Sequence, residues 1–595
     1  MSSSRREFLA LTALGVLGAS ASFGQNPPAA TPGAPPAFGT APPVGPEVTA
    51  ADVAAAEKFV RVEMTAAERA QVALNWRQAM APYYERRTGP RRAVLDATDV
   101  PASQWNPVLP GAKDGPLHEH FVRSPESGRP LLATDDEIAF APVTDLTRWV
   151  ARRELTAVRL TEIYLDRLRR FDEKLRCVIT LLPEQAMKQA RQADYDIDHG
   201  LQRSPLHGIP WGAKDLLDTA GIPTTYGAEP FRNRVPAEDS VVVRRLNAAG
   251  AILVAKLSLG ALALNDVWFG GQTMNPWLLE EGSSGSSAGP GAAVAAGLVG
   301  FAIGSETGGS IVSPSMRCGV TGLRPTFGRV PRTGAMTLCW SLDKLGPMAR
   351  SVEDTMLVLR AISGTDDGDI ATISSNLSFD ANAPVKGLRL GYFPRWMQEE
   401  PATDVDRAAL ETARQLGFQP VEVSLPDWPY DSLDLILFAE AAAAFEELTL
   451  SGGVNQLSMQ TPDAWPNSFR QARFLSAVDF VQADRFRRKV AAEMARLFSQ
   501  VDLLLVPSLR DEMLTISNFT GHPSLTLRAG FVHVSEARSD WAPDPAHPLP
   551  RFKKPRRVPH GVTLIGPLFG EGLLGQAGIA LEKAFHVSGE RPAGF

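Results

Sequence analysis

The sequence predicts an α/β layered fold with a mainly parallel or mixed sheet, and three observations lead there. Short apolar runs read as buried strands at Ala251–Ala255, Leu388–Tyr392 and Val501–Val506. Amphipathic segments at Asp239–Ala249, Val405–Leu416 and Phe480–Leu497 read as helices, so the two kinds of element alternate. The chain has 595 residues, 44% hydrophobic and 21% charged, enough for one large catalytic unit with appendages.

The elements follow in order. Ser4-Arg5-Arg6-Glu7-Phe8-Leu9 precedes an apolar run to Gly18 and then Ala19-Ser20-Ala21. A charged start, an apolar stretch too short to span a bilayer and small residues at its end are the parts of a removable export signal. The paired arginines before Phe-Leu resemble the twin-arginine type, whose route carries folded proteins. Residues 1–24 are therefore expected to be this signal, and the protein to be periplasmic or secreted. No cysteine follows the apolar run, so no stable membrane anchor is expected. Residues 25–47 are rich in Pro and Ala and read as a linker.

Residues 48–135 read as a helical, then irregular extension packed on the main body. Thr65-Ala66-Ala67-Glu68 has the capping-box pattern, and Val72, Trp76, Ala79, Met80 and Tyr83 share one face of a helix expected to end at Pro82. His118-Glu119-His120 lacks further ligands nearby and reads as a loop, not a metal site. From residue 136 to 595 the pattern is that of the main domain, opening on a helix that carries Leu160, Ile163, Tyr164, Leu168 and Phe171. A net charge of −6 and a pI near 5.9 give no basic footprint, so nucleic acid is not an expected partner. Cys177, Cys318 and Cys339 have no metal spacing and read as buried thiols.

The chemistry concentrates in the Gly/Ser-rich stretch from Gly282 to Ser315, yet no histidine lies between His207 and His522 to activate a serine. Gly285-Ser286-Ser287-Ala288-Gly289 fits the G-x-S-x-G elbow, but that elbow needs a strand before it, and Leu279–Ser284 reads as a polar loop. Ser341-Leu342-Asp343-Lys344 fits S-x-x-K without the companion motifs of the penicillin-recognising enzymes. A third reading puts a strand at Phe301–Gly304, a tight turn at Ser305–Ser310 and a short helix from Ile311. Backbone N–H groups would then converge near Ser310 as they do around an oxyanion.

Those residues carry a resemblance. Gly285 through Pro290, continuing to Gly304-Ser305-Glu306-Thr307-Gly308-Gly309-Ser310-Ile311, resembles the signature of the amidase signature family, the Ser-cisSer-Lys amide hydrolases. Leu206 through Asp215, Cys318 through Thr326, Gly346 through Arg350 and Thr520 through Pro523 resemble its other blocks. The resemblance implies a single large domain, a mixed sheet with helices on both faces, and hydrolysis of a C–N amide bond with neither metal nor organic cofactor. It implies that Lys214 is the base, Ser286 the bridging serine after a cis peptide bond, and Ser310 the nucleophile. The amides of Thr307, Gly308, Gly309 and Ser310 are implied as the oxyanion hole. Ser287 is expected to lie outside the proton path.

The chain departs from the family pattern at Ser284, Ala288, Pro290, Glu306 (for aspartate) and Val312 (for arginine). The substrate is expected to be a small-molecule or peptide amide. Tyr226, Phe231, Trp268, Phe269 and Trp340 are candidates for the pocket wall. Two other readings stand beside the exported amidase: the glutamine-hydrolysing subunit of a tRNA amidotransferase, and an inactive binding protein on the same scaffold.

Overall fold

A computed structural model describes residues 42–60, 62–95, 102–103, 115–125 and 127–595. The expected export signal and most of the linker lie outside the described residues. Its centre is an eleven-stranded sheet. The strands are β1 (Val178–Leu181), β2 (Pro210–Lys214), β3 (Ile252–Leu257), β4 (Phe301–Glu306), β5 (Thr321–Arg324), β6 (Lys344–Ala349), β7 (Arg389–Tyr392), β8 (Gln419–Glu422), β9 (Leu503–Pro507), β10 (Ser524–Glu536) and β11 (Arg551–Ile565). They lie in the order β8-β7-β9-β11-β10-β5-β6-β4-β2-β3-β1. The β8-β7-β9 and β4-β2-β3 groups run parallel and the remaining neighbours antiparallel, which makes the sheet mixed.

Alternation along the strands shows why both faces are covered. Phe301 and Ile303 belong to one apolar core and Ala302 to another, while Leu253 faces the first core and Ile252 and Val254 the second. Successive side chains of a strand point to opposite faces, so an unbroken apolar run requires a layer on each side. Helix α1 (Ala157–Leu175) supplies Leu165, Leu168 and Phe171 to the second core, and the small-residue helix α2 (Ala288–Ala295) packs there as well.

The outer elements differ from expectation in three places. The 66–88 region is three short helices rather than one, and Pro82 sits in the first turn of Ala81–Thr88, starting that helix instead of ending its predecessor. A first-turn proline loses no intrahelical bond. Leu278–Gly282 is a strand, paired in a two-stranded hairpin with Met274–Asn275. His120 begins a short strand, His120–Val122, alongside Ser378–Asp380, and Glu119 accepts from the Leu377 N–H. Thr65 does form its capping box. The helix it opens docks on Trp465–Ala472, where Glu68 meets Arg470 at 2.7 Å and Gln471 donates to the Val72 carbonyl. Among the described residues no helix is long and apolar enough to cross a membrane.

Candidate active site

Two neighbouring parallel strands bring the chemistry together. Ala213 of β2 pairs with Ile303 of β4, so Lys214 and Ser305 emerge at the same carboxyl end of the sheet, the usual place for a site in such sheets. Lys214 is fully buried. Its Nζ lies 2.9 Å from Ser286 Oγ, 3.1 Å from Ser287 Oγ and 2.8 Å from Ser305 Oγ. Burial holds its pKa well below the ordinary lysine value, against Asp343 and Glu306, which favour the ammonium. No carboxylate pairs with Lys214 among the described residues. Its chain neighbour Asp215 turns away to Lys256, 2.8 Å distant, and accepts from the Thr225 N–H and hydroxyl.

The three hydroxyls match an uncharged amine, which offers two N–H donors and one lone pair. Ser287 Oγ donates to the Ser305 carbonyl (3.1 Å), so toward Lys214 it can only accept. With Ser287 Oγ and the Ser305 carbonyl (3.4 Å) taking its two N–H groups, an uncharged Lys214 has its lone pair left for a neighbouring hydroxyl proton. Ser287 and Ser305 were not legible as part of this site: one reads as the second member of a Ser-Ser pair, the other as a turn residue.

Ser286 follows Gly285 through a cis peptide bond, as the resemblance implies. Only glycine fits at position 285, since a Cβ there would stand 1.7 Å from the Asn265 carbonyl oxygen. Ser287 opens helix α2, and its N–H donates to the Ser310 carbonyl (3.1 Å), which ties the two serine segments together. Ser310 is half-buried on the turn between β4 and helix α3 (Val312–Cys318). The structure gives no hydrogen bond between the Ser310 and Ser286 hydroxyls, a contact that often tightens only around substrate. Among the described residues no acceptor is paired with the amides of Thr307, Gly308, Gly309 or Ser310. Gly309 has φ +123°, a conformation that side-chain-bearing residues rarely adopt.

Glu306 organises the turn from beneath. One carboxylate oxygen accepts from the N–H groups of Ile311 and Val312 (2.7 and 2.9 Å); the other meets Arg324 (2.6 Å) and Asn518 (2.9 Å). Burial pushes its pKa up, but Arg324 and these donors bring it below the ordinary value. Val312, where the family pattern has an arginine, instead joins a small apolar cluster with Met316, Leu509 and Leu514. Thr307 donates to Asp343 (2.7 Å), whose other oxygen accepts from Leu338 and Cys339 N–H.

The aromatic candidates divide. Tyr226 follows the lysine strand closely, its N–H on the Asp215 carbonyl, and packs on Phe231 at 5.1 Å. Phe269 is tied to Gly227 and lies under Arg232. Trp268 is buried and donates to the Arg176 carbonyl, while Trp340 is 51% exposed on the loop that Asp343 holds. The S-x-x-K pair serves elsewhere: Ser341 donates to Glu440, and Lys344 donates to the Leu342 carbonyl. Neither distant histidine enters. Burial and then Arg324 push the His522 pKa down to about 3, and His207 accepts from the Arg203 N–H. All three cysteines are buried and free.

Comparison with known proteins shows the family and the fold. Residues 159–574 match the sequence model of the family described as Amidase. A glutamyl-tRNA(Gln) amidotransferase subunit of Roseiflexus castenholzii is 33% identical over 74% of this chain and 95% of its own length. Its namesake from Roseiflexus sp. is 40% identical over 51% of this chain and 64% of its own length. The native peptide amidase of Stenotrophomonas maltophilia superposes with a TM-score of 0.64 at 29% identity, covering 76% of this chain and 98% of that one. The chain belongs to the amidase family and is an amide C–N hydrolase.

Proposed function

We propose that the protein is an exported amidase that acylates Ser310, with Ser286 and Lys214 as its proton relay. The observation that carries this reading is the buried Lys214 amine, set among serine hydroxyls and in no ion pair with a carboxylate among the described residues. Ser310 passes its proton to Ser286 Oγ as Ser286 passes its own to Lys214 Nζ, and the freed oxygen attacks the amide carbonyl. The oxyanion draws on the amides of the 307–310 turn, where one donor is typically worth about 10²–10³ in rate. The C–N bond then breaks, and the proton returns from Lys214 through Ser286 to the leaving nitrogen. Water enters by the same relay, the acyl–oxygen bond breaks, and Ser310 regains its proton.

A fluorophosphonate probe tests the assignment. It is expected to modify Ser310, mapped by peptide mass, and the Ser310→Ala chain should neither take the label nor hydrolyse amides. Label found elsewhere, or activity that survives that substitution, would refute it.

The names of the amidotransferase relatives favour a second reading, in which glutamine is hydrolysed inside a tRNA amidotransferase. Ammonia release from glutamine that requires a partner protein would support it, and hydrolysis of an anilide or peptide amide by the isolated chain would oppose it. The export component rests on Arg5-Arg6 and the apolar run behind them. Cell fractionation of Arg5→Lys with Arg6→Lys should then find active protein held in the cytoplasm, and unchanged export would overturn it.

A further inference from the structure

Strands β10 and β11 form a hairpin far longer than the sheet needs. Their register runs from Ser524 opposite Ile565 to Glu536 opposite Arg551, whereas β5 pairs only with Ser524, Leu525 and Thr526. The arm beyond runs past β5 and carries the connecting segment 537–550. Two charged residues of that segment, Arg538 and Asp540, are buried.

Asp540 is enclosed by active-site segments. One carboxylate oxygen accepts from Ser284 Oγ at 2.6 Å and from the Gly285 N–H at 3.1 Å, immediately before Ser286. The other accepts from Arg317 at 3.1 Å, and Arg317 stands on α3, the helix that follows Ser310. Arg317 also donates to the Arg538 carbonyl, and Arg538 in turn is paired with Glu281 at 2.6 Å. Asn265 donates to the Asp540 carbonyl (3.3 Å). A single side chain thus joins the Ser286 segment to the helix behind Ser310.

Ser284 makes the link more pointed. Its φ is +65°, a region that strains a side-chain-bearing residue and that glycine enters freely. Its hydroxyl donates to Asp540, a charge-assisted bond strong enough to offset that strain. Serine at 284 and aspartate at 540 make sense together and poorly apart.

We propose that Asp540 is a positioning residue: from the hairpin tip it fixes Ser284 and Gly285, and so the placement of Ser286 against Lys214 and Ser310. The inference rests on the serine relay described above. Its test is the rate of Ser310 labelling by a fluorophosphonate, resolved into a maximal rate and a half-saturating probe concentration, with folding followed by circular dichroism. Folded Asp540→Ala is expected to lose about ten- to a hundredfold in maximal labelling rate, the scale of a small misplacement of reacting groups. Half-saturation should stay within about twofold, because the oxyanion turn is untouched. Adding Ser284→Gly to Asp540→Ala should restore several-fold of the lost rate, since glycine removes both the strain and the orphaned hydroxyl.

A purely structural pairing of Asp540 with Arg317 would give no such rescue. Unaltered labelling in folded Asp540→Ala, a loss confined to half-saturation, or failure of Ser284→Gly to restore rate would each overturn the proposal. If the alanine chain does not fold, the isosteric Asp540→Asn decides by the same readouts. A wild-type chain that takes no label at Ser310 would instead count against the relay itself.

Discussion

Burial is what suits Lys214 to the proposed role of base. Asp343 and Glu306 act to keep it charged, yet removal from water outweighs both. Protonated lysine cannot accept, so the labelling rate of Ser310 should rise with pH as the ammonium deprotonates. The lowered pKa places that rise well below 10.5, the value of an exposed lysine. Lys214→Arg should abolish the rise and reduce labelling by orders of magnitude, because guanidinium stays charged at every working pH. A pH series on both chains checks this. Ser287 gives a second outcome. Its hydroxyl lies 3.1 Å from Lys214 and bonds both the N–H and the carbonyl of Ser305. Ser287→Ala is expected to slow labelling by about tenfold, on the scale of one lost hydrogen bond at a catalytic group, and far less than Ser310→Ala. From sequence Ser287 is expected only to lie outside the proton path, since spacing shows which serine bridges but not which one orients the lysine.

At the scale of elements, β4 and α3 form one working unit with Glu306 as its joint. The carboxylate receives the N–H of Ile311, the residue before α3, and of Val312, its first residue, and neutralises Arg324, all away from water. Glu306→Gln would leave Arg324 buried without its counter-charge, which typically costs about 3–5 kcal/mol. Urea unfolding should record a loss of that size at neutral pH. The sign with pH follows from the depressed pKa: the Glu306 contribution is fully present above 4.5, its unfolded value, and is lost as pH falls through the lower folded value. The glutamine chain should therefore be the less acid-sensitive of the two. Glu306 itself was legible as the occupant of an aspartate position. Its partners were not, because Arg324 and Asn518 come from segments 18 and 212 residues away.

Across the whole molecule, strands declared themselves where apolar runs were unbroken, as at Phe301–Gly304 and Leu503–Val506, since burial on both faces leaves no polar position to blur them. The clamp at Asp540 did not. In Glu536-Ala537-Arg538-Ser539-Asp540 the charges look solvated, and their partners lie 257 residues away at Glu281 and 256 at Ser284. Lys344 gives a global prediction. Burial foremost, with Arg324 next, pushes its pKa down to about 7 from 10.5. Between those values the unfolded chain binds a proton that the folded chain does not, so stability rises with pH. Lys344→Met should flatten that slope by up to about 1.4 kcal/mol per pH unit, measured by urea unfolding at pH 7, 8 and 9. The strand order carries one more consequence. β10 and β11, made last among the strands, occupy the middle of the sheet and are what joins its two halves. A nascent chain that has already exposed Lys214, Ser286 and Ser310 still holds two open-edged half-sheets until residue 565 leaves the ribosome. Truncation before Ser524 should therefore cost the whole fold and not merely its last strands, a loss that circular dichroism would record.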